Sequence, residues 1–198
     1  MKRFWTILIS LLAFAFSASA RFSASISWGY SPQIIKHEAV CYIPNSIGYR
    51  VAEERTRIDF YSNAYLTASV GYDFLKHCSL QFKAGYMGID YNYQALPLLG
   101  EFRYYFKDFR SKGLFLGVEG GFFLHNLTWE DKGTLVGLCF GHREQLFKDL
   151  SLDFHVKIQW ANYSPLPVDK YEGVIPRPQV IFSNTDSFML SIGTAISF

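Results

Sequence analysis

Residues 187–198 read SFMLSIGTAISF and close the sequence. Phe188, Leu190, Ile192, Thr194, Ile196 and Phe198 fall on one side of an extended chain, and Met189, Ser191, Gly193, Ala195 and Ser197 on the other. A two-residue period of this kind predicts a β-strand. Its greasier face stays apolar to the last residue, where a soluble domain usually ends in a fraying polar tail.

The same period recurs upstream in seven further runs. The first sets Phe22, Ala24, Ile26, Trp28 and Tyr30 against Ser23, Ser25, Ser27 and Gly29. The second, over 57–74, carries Ile58, Phe60, Ala64, Leu66, Ala68, Val70, Tyr72 and Phe74 on one side, with Ser62 as a polar break. The third presents Leu80, Phe82, Ala84 and Tyr86; the fourth Leu96, Leu98, Phe102, Tyr104 and Phe106. The fifth presents Leu114, Leu116, Val118, Phe122 and Leu124, and the sixth Val136, Leu138 and Phe140. The seventh sets Leu150, Leu152, Phe154, Val156, Ile158 and Trp160 against Ser151, Asp153, His155, Lys157 and Gln159. No helical stripe competes over comparable lengths, and the runs suit strands of about 9–11 residues, the length a tilted strand needs to cross a bilayer.

Residues 1–20 stand apart. Lys2 and Arg3 precede an apolar run, and Ala18-Ser19-Ala20 is a small-residue cleavage site. That layout predicts a cleaved secretory signal peptide, leaving 21–198 as one barrel domain. The whole chain has 19 Lys+Arg and 17 Asp+Glu, and its net charge of +2 resides in the leader. A neutral mature chain gives no basic surface for nucleic acid. Cys41, Cys78 and Cys139 are odd in number and widely spaced, which predicts neither a disulfide framework nor a zinc site.

The connections sort into short and long. Those near 75–78, 107–113 and 146–149 are short; 31–56 and 161–185 are long, and the latter holds Pro165, Pro167, Pro176 and Pro178. Short turns at one end and longer loops at the other are the pattern of outer-membrane barrels.

Two barrels fit such runs. A soluble one turns its apolar face inward around a ligand; a membrane one turns it toward lipid. The polar faces carry Lys83, Glu101, Arg103, Glu119, Arg143, Asp153, His155 and Lys157 among glycine and serine. Both signs are present, so these side chains are expected to pair in a narrow lumen, because an unpaired buried charge costs several kcal/mol. Trp28, Tyr30, Tyr72, Phe74, Tyr104, Phe106 and Trp160 lie near strand ends on the apolar face, as in an interfacial aromatic girdle. The expected fold is therefore all-β: an eight-stranded antiparallel up-and-down transmembrane β-barrel. Bulky residues on the inward parity, among them Phe115 and Phe123, predict a plugged lumen.

Ser191, Gly193, Ile196 and Phe198 occupy the defined positions of a pattern running polar, any, Gly, two of any kind, apolar, any, aromatic. In this the last strand resembles the C-terminal signal of bacterial outer-membrane barrels. The resemblance implies the barrel-assembly machinery as a partner in biogenesis. Residues 96–106, LPLLGEFRYYF, followed by 113–121, GLFLGVEGG, resemble the middle hairpin of such proteins from Bacteroidetes-type bacteria. The mature chain resembles a small eight-stranded barrel of the OmpA/OmpX/OmpW-like kind, without a periplasmic domain. It implies a porin-like Gram-negative outer-membrane location, with membrane lipid and lipopolysaccharide as surroundings.

Some barrels of this kind act on acyl chains of lipid A, which requires a serine–histidine pair held by a carboxylate. His77 and Ser79 fall at a short turn, His155 with Asp153 in the lumen, His125 with Asn126 and Glu130 in a loop, and His37-Glu38 in the first long connection. None forms a triad. Asn126-Leu127-Thr128 matches a glycosylation sequon without consequence in an outer membrane. No cofactor or metal is expected. The reading is a non-enzymatic barrel acting structurally or through its external segments, first 42–55 and 163–179. The alternatives are a lipid A acyl-modifying enzyme and a narrow channel or small-ligand binder.

Overall fold

The computed structural model describes residues 21–46, 48–90, 93–125 and 132–198. The expected leader 1–20, the Asn126 sequon and Glu130 lie outside the described residues.

Alternation of apolar and polar side chains lets one face of an extended chain differ from the other, and the chain uses this throughout. Its main strands are β1 (Arg21–Tyr30), β2 (Gln33–Tyr42), β3 (Val51–Tyr61), β4 (Ala64–Leu75), β5 (Cys78–Asp90), β6 (Tyr93–Tyr105), β7 (Gly113–His125), β8 (Lys132–Phe147) and β9 (Leu150–Tyr163). A two-rung hairpin of β10 (Val168–Asp169) and β11 (Gly173–Val174) follows, and β12 (Val180–Ser197) ends the fold. Eight strands, β1, β4 to β9 and β12, form an antiparallel barrel, closed where β12 returns to β1.

The expected long loop 31–56 is instead mostly strand. β1 breaks at Ser31-Pro32 and resumes as β2, the chain turns, and β3 breaks at Ser62-Asn63 before becoming β4. Gly48, at φ +69, supplies the left-handed residue of the turn. β2 pairs with β3 on one side and with the upper half of β12 on the other, so a small sheet stands beyond the barrel wall. The connection expected over 161–185 narrows to 164–179, because β9 runs on to Tyr163 and β12 starts at Val180.

The register fixes the barrel's dimensions. Stepping across the ladder from Phe22 through Tyr72, Leu80, Phe102, Val118, Leu138, Ile158 and Leu190 returns to the starting segment at Pro32, just past the end of β1 and ten residues from the start. A shear of ten over eight strands, with a rise of about 3.3 Å and a strand spacing of about 4.8 Å, tilts the strands by about 40°. The apolar face of β12 from Phe188 to Phe198 then spans about 25 Å along the axis.

Outward positions are apolar and exposed: Phe22, Leu66, Val70, Phe82, Val118, Leu138, Ile158 and Ile192 among them. Inward positions are filled. Tyr65, Met87, Ile89, Leu99, Phe123, Leu135, Tyr163 and Met189 form an apolar plug toward the upper end, opposite Arg21 and Phe198. Tyr105, Phe109, Phe115 and Cys139 plug the lower end, that of Arg21 and Phe198. Inward glycines make room for these rings. A Cβ on Gly141 would stand 2.3 Å from the Phe115 ring, and one on Gly193 would stand 1.9 Å from Tyr65 Oη.

Candidate functional site

Between the two apolar plugs lies a layer of charge. Lys83, Glu101, Arg103, Glu119, Arg143, Asp153, His155 and Lys157 are all inward and at most 6% exposed. Arg143 grips Asp153 with two nitrogens, Nε to Oδ1 at 2.6 Å and Nη2 to Oδ2 at 2.7 Å. Arg103 bridges Asp153 (2.9 Å) and Glu101 (3.0 Å). Lys83 contacts Glu101 and reaches Glu119 at 3.3 Å, while Lys157 donates to Glu119 at 2.9 Å. Seven of the eight side chains thus form one chain of ion pairs from Arg143 to Lys157. His155 stands beside it and shares a hydrogen bond with Tyr65 Oη at 2.6 Å.

Two further members are absent from the sequence-derived set. Gln159 Nε2 donates to Glu119 at 2.7 Å, and Tyr65 lies under the Lys157 ammonium, 5.6 Å from its ring centre. Both sit on the inward parity of their strands, so the signal was there; neither carries a charge to draw the eye. Arg103 over Phe115 (4.9 Å) and Arg143 over Tyr105 (4.8 Å) tie the ion pairs to the lower plug. Pairing with the opposite sign offsets part of the cost of holding these charges away from water, and together with the two plugs they fill the described interior.

The aromatic positions all point outward. Trp28 and Tyr30 lie at the upper end of β1 and Trp160 at that of β9; Tyr72, Phe74, Tyr104 and Phe106 lie near the opposite ends of their strands. Tyr104 and Phe106 stack edge to face at 5.7 Å. Of the terminal pattern, Ser191 points inward and bonds Ser31 Oγ at 2.6 Å, whereas Ile196 and Phe198 point outward.

The candidate histidines are separated. His77 Nδ1 donates to the Tyr105 and Lys107 carbonyls, at 2.9 and 3.0 Å, while Ser79 is buried in the interior. His125 donates to the Gln94 carbonyl at 2.9 Å. His37 and Glu38 point to opposite faces of β2: His37 meets Thr56 (2.9 Å) outside, and Glu38 meets Lys36 (2.7 Å) inside.

Above the upper plug the inner faces of β2 and β3 and the segment 164–175 enclose a cavity of about 640 Å³. Lys36, Glu38, Glu53, Arg55 and Arg57 form its charged wall, with Asp90 and His125 at the rim of the barrel. Pro165, Leu166, Pro167, Val168 and Val174 form an apolar wall. The two walls are clasped together. The Glu172 carboxylate accepts the backbone N–H groups of Asn45 (3.0 Å) and Ser46, Tyr42 Oη donates to Asp169 (3.0 Å), and Ile43 N–H donates to the Gln179 carbonyl (3.0 Å). Hydrogen bonds from Ser46 and Asn45 hold the Glu172 carboxyl below its usual pKa, and the N–H groups of Tyr171 and Glu172 with the Tyr42 hydroxyl do the same for Asp169.

No protein-family model and no curated protein matches the chain. Several solved outer-membrane proteins are similar in fold at low identity. Neisserial surface protein A is 13% identical with a TM-score of 0.49, over 91% of this chain and 100% of that one. OprG from Pseudomonas aeruginosa is 12% identical with a TM-score of 0.49, over 89% and 95%. AlkL is 14% identical with a TM-score of 0.47, over 92% of each chain.

Proposed function

We propose that the chain is an integral outer-membrane barrel without enzymatic activity, acting at the cell surface through the sheet that stands above its outer end. Three features support the membrane placement. The exterior is an apolar band about 25 Å tall, aromatic residues border it, and the hydrogen-bonded wall has no open edge within the band. In this orientation Arg21, Phe198 and the short turns face the periplasm, lipopolysaccharide surrounds the outer rim, and the last strand is the segment the assembly machinery reads.

The observation that carries the surface role is the position of β3. Among the described residues it ends the sheet order, paired to β2 on one side only, while the strands of the barrel wall are paired on both. An unpaired edge outside the membrane is a template for strand addition by an extended partner segment. The filled interior directs function to this region. Panning a random peptide display library on the protein in lipid nanodiscs tests the reading. Extended peptides should be enriched over empty nanodiscs, and their binding should vanish when 33–60 is replaced by a two-residue turn that leaves β1 paired to β4. Binding that survives this replacement would move the surface role elsewhere. Retention in carbonate-washed membranes and a shift on unboiled gels test the membrane placement separately.

A further inference from the structure

Lys36 and Arg57 stand directly opposite each other on β2 and β3, and both line the mouth cavity. Like charges at directly opposite positions of an antiparallel pair repel. The next rung, Glu38 with Arg55, is of opposite sign. Lys36 is neutralised by Glu38 at 2.7 Å and by Asp90. Arg55 is taken by Glu53 at 2.7 Å. Arg57 has no acidic partner among the described residues. Among the described residues, the cavity therefore holds a guanidinium, that of Arg57, with no carboxylate on it, beside a cation already satisfied.

Facing this wall is an apolar one, built from Pro165, Leu166, Pro167 and Val168. A guanidinium offers a planar fork that matches a carboxylate. An apolar wall with a few convergent polar groups, in a volume within the range of small-molecule sites, is the form such sites take. We propose that the mouth cavity is a binding site for a small amphiphilic anion, its charged group on Arg57 and its apolar body against 165–168. The ligand is a free amphiphile rather than a membrane lipid. The site lies on the inner faces of β2 and β3, whose outer faces at that level carry the polar His37 and Thr56. The site is independent of the free edge of β3, and either reading stands if the other fails.

The probe is 4-phenylbutanoate, titrated calorimetrically into the protein in phosphatidylcholine nanodiscs, with 4-phenylbutanamide as its uncharged counterpart. Binding should saturate for the carboxylate and be at least about tenfold weaker for the amide. Arg57→Gln should erase that preference, whereas Arg57→Lys, which keeps the charge, should retain most of it. The gel shift of each variant reports that the barrel is intact. Equal binding of the two probes, unchanged binding by Arg57→Gln, or heat no greater than that of empty nanodiscs would overturn the proposal. So would loss of carboxylate binding when anionic phosphatidylglycerol replaces phosphatidylcholine, since a lipid headgroup would then hold the seat.

Discussion

Glu119 is the residue on which the interior turns. It accepts from Lys157 and Gln159 and lies 3.3 Å from Lys83, at 1% exposure. Glu119→Ala leaves the Lys157 ammonium without its counter-charge and Lys83 with Glu101 alone, and breaking a buried pair in this way costs roughly 3–5 kcal/mol. Urea unfolding in phosphocholine vesicles should show that loss, and Lys157→Met in the same chain should restore part of it. A cost within about 0.5 kcal/mol, the range of an exposed substitution, would mean that the ion pairs are solvated. Gly193 poses the opposite problem, since nothing fits where its side chain would be. A Cβ there meets Tyr65 Oη at 1.9 Å and the Trp28 carbonyl oxygen at 2.5 Å, so both a side chain and backbone must move. Gly193→Ala should cost about 1–3 kcal/mol by overpacking in the same assay. The glycine of the terminal pattern thus has a packing reason inside the folded barrel, whatever it contributes during assembly.

At the scale of elements, the hairpin of β2 and β3 is held over the mouth by segment 164–179 through two carboxylates, Glu172 and Asp169. Glu172 and Asp169 both have depressed pKa values in the folded protein. A depressed carboxylate stabilises the folded form at pH values above its unfolded pKa and loses that contribution as pH falls through its folded one. Amide exchange at Asn45 and Ser46 should therefore quicken as pH is lowered below the ordinary carboxylate range, after correction for intrinsic rates. Glu172→Gln should remove much of that pH dependence. Protection that does not change with pH would show that Ile43 and Gln179 suffice to hold the segment. The same hairpin was the least legible part of the sequence. Elsewhere one face of each strand is an apolar exterior and the other meets a packed interior, so the two-residue period is written in residue type. On β2 the outer face reads Ile35, His37, Ala39, Cys41 and the inner face Lys36, Glu38, Val40, Tyr42. Both are mixed, because each faces water or a charged cavity, and the period disappears. The prolines of 164–179 marked that segment as a connection, but nothing in it announced that Glu172 would reach the turn of a distant hairpin. The charged inner layer was legible by parity alone. Which carboxylate meets which cation was not, since that depends on a shear of ten that only the closed ladder fixes.

For the whole molecule, that shear and the apolar exterior make one quantitative demand. On β9 the outward apolar residues run from Leu150 to Trp160, with Phe154 and Val156 at their centre. If this face lies in hydrocarbon, the cost of a charge must depend on depth, because the bilayer is dry at its middle and wet at its edges. Val156→Arg should cost roughly 2–4 kcal/mol and Trp160→Arg about 0–1 kcal/mol, apart from the loss of the ring's own contacts. The same series on β8, with Leu138→Arg against Thr134→Arg, should follow the same profile, since neighbouring strands share the tilt. A soluble barrel with these residues turned outward would show no such gradient: a guanidinium would be tolerated equally at both positions. Equal, small costs along both strands in vesicles would therefore remove the membrane from the account while leaving the barrel intact. A steep dependence centred on Val156 and Leu138 would place the bilayer midplane at those residues and leave the mouth cavity, with Arg57, in the water beyond it.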